Sequence, residues 1–160
     1  MIWAGRLTHN NDRNRTALLA DLASMGNVPG IALLSLQKGP KTGQAGGWYG
    51  RAPLINLGAE IQNYDDTMAI LAILAILAIL AILANIERLV TVDTSVAHLA
   101  GAMGRPAWIM LAFAPDWRWL LRRADTPWYP TVRLFRQSTV RRWDDVLQAV
   151  ATALAQEADT

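Results

Sequence analysis

Apolar residues along this chain come in short blocks separated by polar, glycine-bearing or proline-bearing stretches. Six blocks have the length of strands buried on both faces: residues 1–4, 31–36, 54–57, 89–92, 107–111 and 132–135. Between them the apolar spacing changes. Leu18, Leu19, Leu22 and Met25 fall at helical spacing behind Thr16, a residue suited to capping, and Pro29-Gly30 ends that segment. Residues 66–84 predict an apolar helix, and residues 95–103 a second one stopped by Gly104. Residues 143–157 predict an amphipathic closing helix with Val146, Leu147, Val150 and Leu154 on one face. Residues 42–50 are glycine-rich and read as loop, as does the Trp- and Pro-rich stretch 113–130. Short apolar strands alternating with helices predict right-handed βαβ units, hence an α/β fold with a mostly parallel sheet in one domain over residues 1–160.

A parallel sheet takes its ligands outside the carboxyl ends of its strands. The predicted topology puts loops 5–15, 37–42, 58–66 and 93–95 along that edge, and the unusual polar residues of the chain lie in those loops. Asp93-Thr94-Ser95 stands where a strand becomes a helix. The first amides of a helix lack internal partners and carry partial positive charge, so they attract a phosphate, with the Thr94 and Ser95 hydroxyls as further donors. Asp93 could accept hydrogen bonds from sugar hydroxyls, and His98, one turn on, could face the same ligand. The other reading makes Asp93 or Thr94 a helix cap and His98 a packing residue. Arg13 and Arg15 offer fixed cations able to grip a diphosphate, or belong to a solvated loop. Lys38, before Gly39-Pro40, has the same two readings. Glu60 could meet a ribose or base, or sit in water.

Composition removes several classes. The chain carries 15 basic and 13 acidic residues, a net charge of +2, and its arginines are scattered apart from a modest group at 118, 122, 123, 133 and 136. That is no clustered basic face, so nucleic acid is not an expected partner. There is no cysteine, which removes thiolate chemistry and disulfides and agrees with a cytoplasmic location. The start of the chain turns polar after four residues and is no secretory signal. Two histidines, His9 and His98, without a ligand cluster give no metal site. A Ser/His/Asp hydrolase lacks its G-x-S-x-G elbow, and Ser95 and His98 share one helical turn. Seven tryptophans, four of them after residue 112, read as packing for a long ordered loop rather than as a base-stacking platform.

The stretches WAGRLTHNNDRNRT, SLQKGP, LINLGAE, TVDTSVAHLAGAMGRP and APDWRWLLRRADTPWYPTVRLFRQ together resemble the C-terminal, donor-binding half of a bacterial heptosyltransferase-type (glycosyltransferase family nine) domain, often found behind tetratricopeptide repeats. The resemblance covers nearly the whole chain. It implies a Rossmann-like domain with helices on both faces, one half of a GT-B architecture, and a nucleotide-sugar donor, ADP- or UDP-linked, as ligand. By similarity Asp93, Thr94, Ser95 and His98 contact the diphosphate and sugar. Arg13 or Arg15 falls where the family places a basic phosphate-binding residue, and Lys38 and Glu60 lie near the nucleoside. The resemblance implies no metal: helix amides and basic side chains stabilise the leaving diphosphate. It also implies that the acceptor-binding half, with the catalytic base, is absent from this chain. The isolated chain is therefore expected to bind donor without transferring sugar.

One segment departs from the family pattern. Residues 69–83 are AIL five times over, and from Met68 to Ala84 there are 17 uncharged residues in a row. Removing four copies leaves DDTMAILANIERLVTVDT, the length the resemblance predicts. Twelve extra residues add about 18 Å of helix and turn its exit by about 120°. A period of three spirals apolar residues around every face. Fifteen such residues span only ~22 Å, short of a ~30 Å hydrocarbon core, and Asp65, Asp66, Glu87 and Arg88 bracket the run, so a membrane span is disfavoured. A tandem expansion is the expectation. Self-association through Met68–Ala84, in a non-catalytic module, is the competing one.

Overall fold

The computed structural model describes residues 1–5, 11–58 and 78–158. Among these residues there are five parallel strands: β1 (Leu33–Ser35), β2 (Leu54–Asn56), β3 (Leu89–Val92), β4 (Ala107–Leu111) and β5 (Val132–Arg136). β1 pairs with β2 with Leu34 beside Ile55; β3 pairs with β4 with Val90 beside Trp108; β4 pairs with β5 with Ile109 beside Leu134. Residues 1–4 join the two groups. Ile2 bridges Thr91 in parallel, its N–H donating to the Val90 carbonyl (3.0 Å) and its own carbonyl accepting from the Val92 N–H (3.1 Å). On the other side the Met1 amino group donates to the Leu34 carbonyl, and the Leu36 N–H donates to the Met1 carbonyl (3.0 Å). The order across the sheet is therefore β2, β1, residues 1–4, β3, β4, β5. Numbered along the chain, that is 3-2-1-4-5-6, the Rossmann order, with its switch point between residues 1–4 and β3.

Alternation along the strands builds two cores. Val90, Val92, Trp108, Met110 and Phe135 point to one face, where Leu19, Leu22 and Met25 and the helix α4 (Asp144–Ala158) cover them through Val146, Leu147 and Val150. Leu89, Ile109, Leu111, Val132 and Leu134 point to the other face. There they meet Ile79 and Leu83 from the helical residues 78–85 (α2) and Ala97 and Ala100 from α3 (Ser95–Ala102). Crossovers before the switch point lie on the first face and those after it on the second, as right-handed connections on both sides of a switch point require. The structure is thus α/β and Rossmann-like, with helices on both faces.

Three elements differ from their sequence expectation. Thr16 does not cap a helix: its hydroxyl donates to Asp12 Oδ1 (3.1 Å) across the one-turn helix α1 (Asp12–Arg15), and the chain continues extended, the Ala17 N–H donating to the Trp3 carbonyl (2.9 Å). The helix that follows is 3₁₀, Asp21–Asn27. Leu19, Leu22 and Met25 are buried while Leu18 is exposed, so the spacing in use is three, the period of a 3₁₀ helix. The glycine-rich stretch is a second 3₁₀ helix, Gly39–Gly47, with Pro40 in its first turn. The predicted stop at Gly104 is realised as a Schellman motif. Gly104 takes φ +64°, its N–H donates to the Gly101 carbonyl (3.0 Å), and the Arg105 N–H donates to the Ala100 carbonyl (2.9 Å).

No helix among the described residues is long and apolar enough to cross a membrane. Glu60, His9 and residues 69–77 of the AIL repeat lie outside the described residues.

Candidate functional site

At the switch point the strands diverge, and a cavity of ≈ 220 Å³ opens at their carboxyl ends. Gly5, Gln37, Lys38, Ile79, Thr94 and Ser95 are among the residues lining it. Three of the four predicted loops thus meet here, each delivered by the end of a neighbouring strand.

The wall from α3 is its N-terminus. Thr94 holds the N-cap position in extended conformation but makes no capping hydrogen bond, because its hydroxyl lies 3.2 Å from Thr91 Oγ1, a side chain fully buried inside the sheet. The cap's oxygen is thus turned away from the first amides of α3. Those amides carry the helix's partial positive charge at the cavity wall. Arg15 reaches the same place from α1: its guanidinium donates to the Asp93 backbone carbonyl, ties the first loop to the β3 end, and leaves Nε without a partner among the described residues. Gly5 passes so close that a Cβ there would stand 3.2 Å from the Arg15 guanidinium. Arg13, on the same turn, is exposed. Lys41 lies 4.0 Å from Asp12.

Gln37 is the residue that sequence reading missed. It is 2% exposed and continues the sheet where the strands end. Its Oε1 accepts from the Trp3 N–H (3.2 Å) and the Ala4 N–H (2.9 Å), and its Nε2 donates to the Ala4 carbonyl (3.2 Å) and the Lys38 carbonyl (2.9 Å). One amide side chain thereby fixes both Gly5 and Lys38 at the cavity rim. Gly58 closes over it: a Cβ there would lie 2.0 Å from the Gln37 carbonyl oxygen, so only glycine fits.

Asp93 and His98 sit beside the cavity rather than in its wall. Asp93 Oδ1 is 3.9 Å from His98 Nε2. The imidazole stacks on Trp119 (centroids 4.9 Å apart, planes 18° off parallel), and its Nδ1 lies 3.2 Å from the Tyr129 hydroxyl. Tyr129 is seated on Gly101, where a Cβ would come within 2.4 Å of the ring. The structure therefore brings Lys38, Thr94 and Ser95 together in the cavity wall, sets Arg15 beside it on the Asp93 carbonyl, and places the Asp93 carboxylate and His98 in an adjoining aromatic-lined group. The signal for Tyr129 was Gly101, a glycine in mid-helix. Gln37, a single polar residue after a strand, left none.

No family model, no curated protein and no solved structure matches the chain.

Proposed function

We propose that the switch-point crevice binds the diphosphate of an ADP- or UDP-linked sugar, as the donor half of a cytoplasmic glycosyltransferase of heptosyltransferase type. The observation that carries this reading is the convergence of the uncapped α3 N-terminus, the Ser95 hydroxyl and Lys38 around one cavity, with the Arg15 guanidinium beside it on the Asp93 carbonyl. Each of these groups donates hydrogen bonds or carries positive charge, which suits a polyanion. The resemblance of residues 92–106 and 115–137 to that family supports it.

In this reading the bond between the anomeric carbon and the diphosphate oxygen breaks, and the diphosphate leaves with the electron pair. The α3 amides, Arg15 and Lys38 stabilise the charge as it develops. Asp93 accepts from sugar hydroxyls, with His98 steadying its carboxylate. The acceptor hydroxyl and the base that takes its proton come from the acceptor-binding half. A cavity of ≈ 220 Å³ is below the ~300–1,000 Å³ typical of a site for a whole drug-sized ligand, so the described walls hold the diphosphate end.

Titration calorimetry with ADP, UDP and one sugar conjugate of each tests this. Micromolar to low-millimolar binding that falls about tenfold or more in Asp93→Ala, with the far-ultraviolet spectrum unchanged, is the expected result. No heat from a chain shown to be folded would overturn it. The competing reading, a non-catalytic module associating through Met68–Ala84, rests on the apolar repeat alone. It predicts an oligomer on size exclusion that disappears when four AIL copies are removed.

A further inference from the structure

The connection from β4 to β5 runs from the carboxyl edge of the sheet back to its amino edge, as a parallel crossover must. A helix usually makes this crossing. Here residues 112–131 make it with only one short 3₁₀ turn, Trp117–Trp119, and fully buried Trp119 supplies the apolar contact a helix would have made. The loop is pinned from below. Arg136 donates to the carbonyls of Trp119 and Arg123, the Leu134 N–H donates to the Ala124 carbonyl (2.6 Å), and Trp128 Nε1 donates to the Arg118 carbonyl (2.9 Å).

What this rigid loop displays is apolar. Of nine large apolar side chains exposed among the described residues, five lie here: Phe113, Trp117 (70% exposed), Leu120, Leu121 (72%) and Trp128 (56%). The other four are spread over separate elements. The backbone is strained in order to show them. Leu120 sits at φ 53°, ψ −168°, a region that belongs to glycine, and Arg122 at φ 56°. Neither residue is a glycine, and Leu120 and Leu121 face water, so burial does not offset the strain.

Charge follows the same loop. Arg118 and Arg123 are paired with Asp116 and Asp125, which leaves exposed Arg122 as the loop's net positive charge. Arg118 also lies over the Trp117 ring (5.0 Å). Tryptophan, leucine and arginine exposed together on one loop match the interface of a bilayer, where indoles sit at headgroup level and guanidinium groups meet anionic lipid.

We propose that residues 113–128 form a docking surface for an anionic membrane, through Trp117, Leu121 and Trp128 inserted at the headgroup level and Arg122 on the lipid phosphates. This contact lies on the surface of the bilayer and is independent of what the switch-point cavity binds.

Co-sedimentation of the full chain with phosphatidylcholine vesicles, with and without added phosphatidylglycerol, tests it, alongside light scattering of the protein alone. The chain pellets with the anionic vesicles and is released by salt. Trp117→Ser/Leu121→Ser lowers binding about tenfold or more, and Arg122→Gln about fivefold. All three side chains are exposed, so the variants fold, which circular dichroism verifies. Three results would each overturn the proposal: no pelleting with either vesicle, variants that bind like the wild type, or a lipid-free dimer that the double variant dissolves. The last would make this loop a contact between copies of the chain.

Discussion

Replacing Gln37 by alanine should be among the most damaging single changes near the cavity. The substitution removes an acceptor shared by two buried amides, those of Trp3 and Ala4, and a donor to the Ala4 and Lys38 carbonyls. Trp3 is fully buried and Ala4 nearly so, so neither amide has ready access to water. A buried polar group left unpaired costs roughly 1–3 kcal/mol. Two amides, with some relief from water entering the space left behind, give an expected loss of about 2–5 kcal/mol. Urea denaturation measures it directly: the midpoint falls while the m-value stays constant, because the surface exposed on unfolding is unchanged. Hydrogen exchange at the Trp3 and Ala4 amides accelerates in the variant. A loss below about 0.5 kcal/mol, the range of an ordinary surface substitution, would refute the reasoning that Gln37 extends the sheet.

Gly101→Ala must move Tyr129, since its Cβ would lie 2.4 Å from the ring, and overpacking of that kind costs about 1–3 kcal/mol, read from the thermal midpoint. Deleting four AIL copies should raise both solubility and melting temperature, because a period of three turns apolar side chains away from the one face that buries Ile79 and Leu83; a lower melting temperature would mean the longer segment belongs to the fold. Asp145 supplies a pH test. Desolvation works to raise its pKa, but hydrogen bonds from the Ser138 hydroxyl, the Ser138 N–H and the Val146 N–H outweigh it and hold the carboxyl below its ordinary 3.8. A carboxyl lowered in the folded state stabilises above its unfolded value and loses that contribution as pH falls through its folded value. Asp145→Asn should therefore flatten the acid limb of the melting-temperature profile; an unchanged acid limb would show that the contacts do not persist in solution.

The strands were legible because burial on both faces forces near-continuous apolar runs, and β3 and β4 coincide with theirs residue for residue. The C-terminal end of α3 was legible because its stop acts locally, through one left-handed glycine, while its start follows from where the β3 run ends, since Thr94 makes no side-chain cap. The stretch 16–27 was not, because spacings of three and of 3.6 differ too little over three apolar residues to separate a 3₁₀ from an α-helix. The pairings of Gln37 and Tyr129 were not readable for another reason, since Gly101 flags a close neighbour without naming it. Their roles depend on partners 33 or more and 31 positions away along the chain, and no local pattern encodes those pairings. The edge that carries the candidate site was readable from topology alone, while the distinction between wall and neighbour, Ser95 against His98, required the packing of Trp119.

That packing also joins two parts of the molecule that the chain keeps apart. α3 presents its first turn to the cavity and its middle, at Gly101, to Tyr129. Tyr129 and Trp119 belong to the crossover loop, and both hold the His98 ring, which in turn lies 3.9 Å from Asp93. A change at Gly101 therefore reaches Asp93 through two intermediate residues, Tyr129 and His98, without altering any residue of the cavity wall. If the Asp93 carboxylate accepts from the sugar hydroxyls, Gly101→Ala must weaken binding of the nucleotide sugar, more than of the free nucleotide, by more than its cost in stability accounts for. If Asp93 only shapes the loop by its backbone carbonyl, held by Arg15, the same substitution leaves the affinity of the folded fraction unchanged.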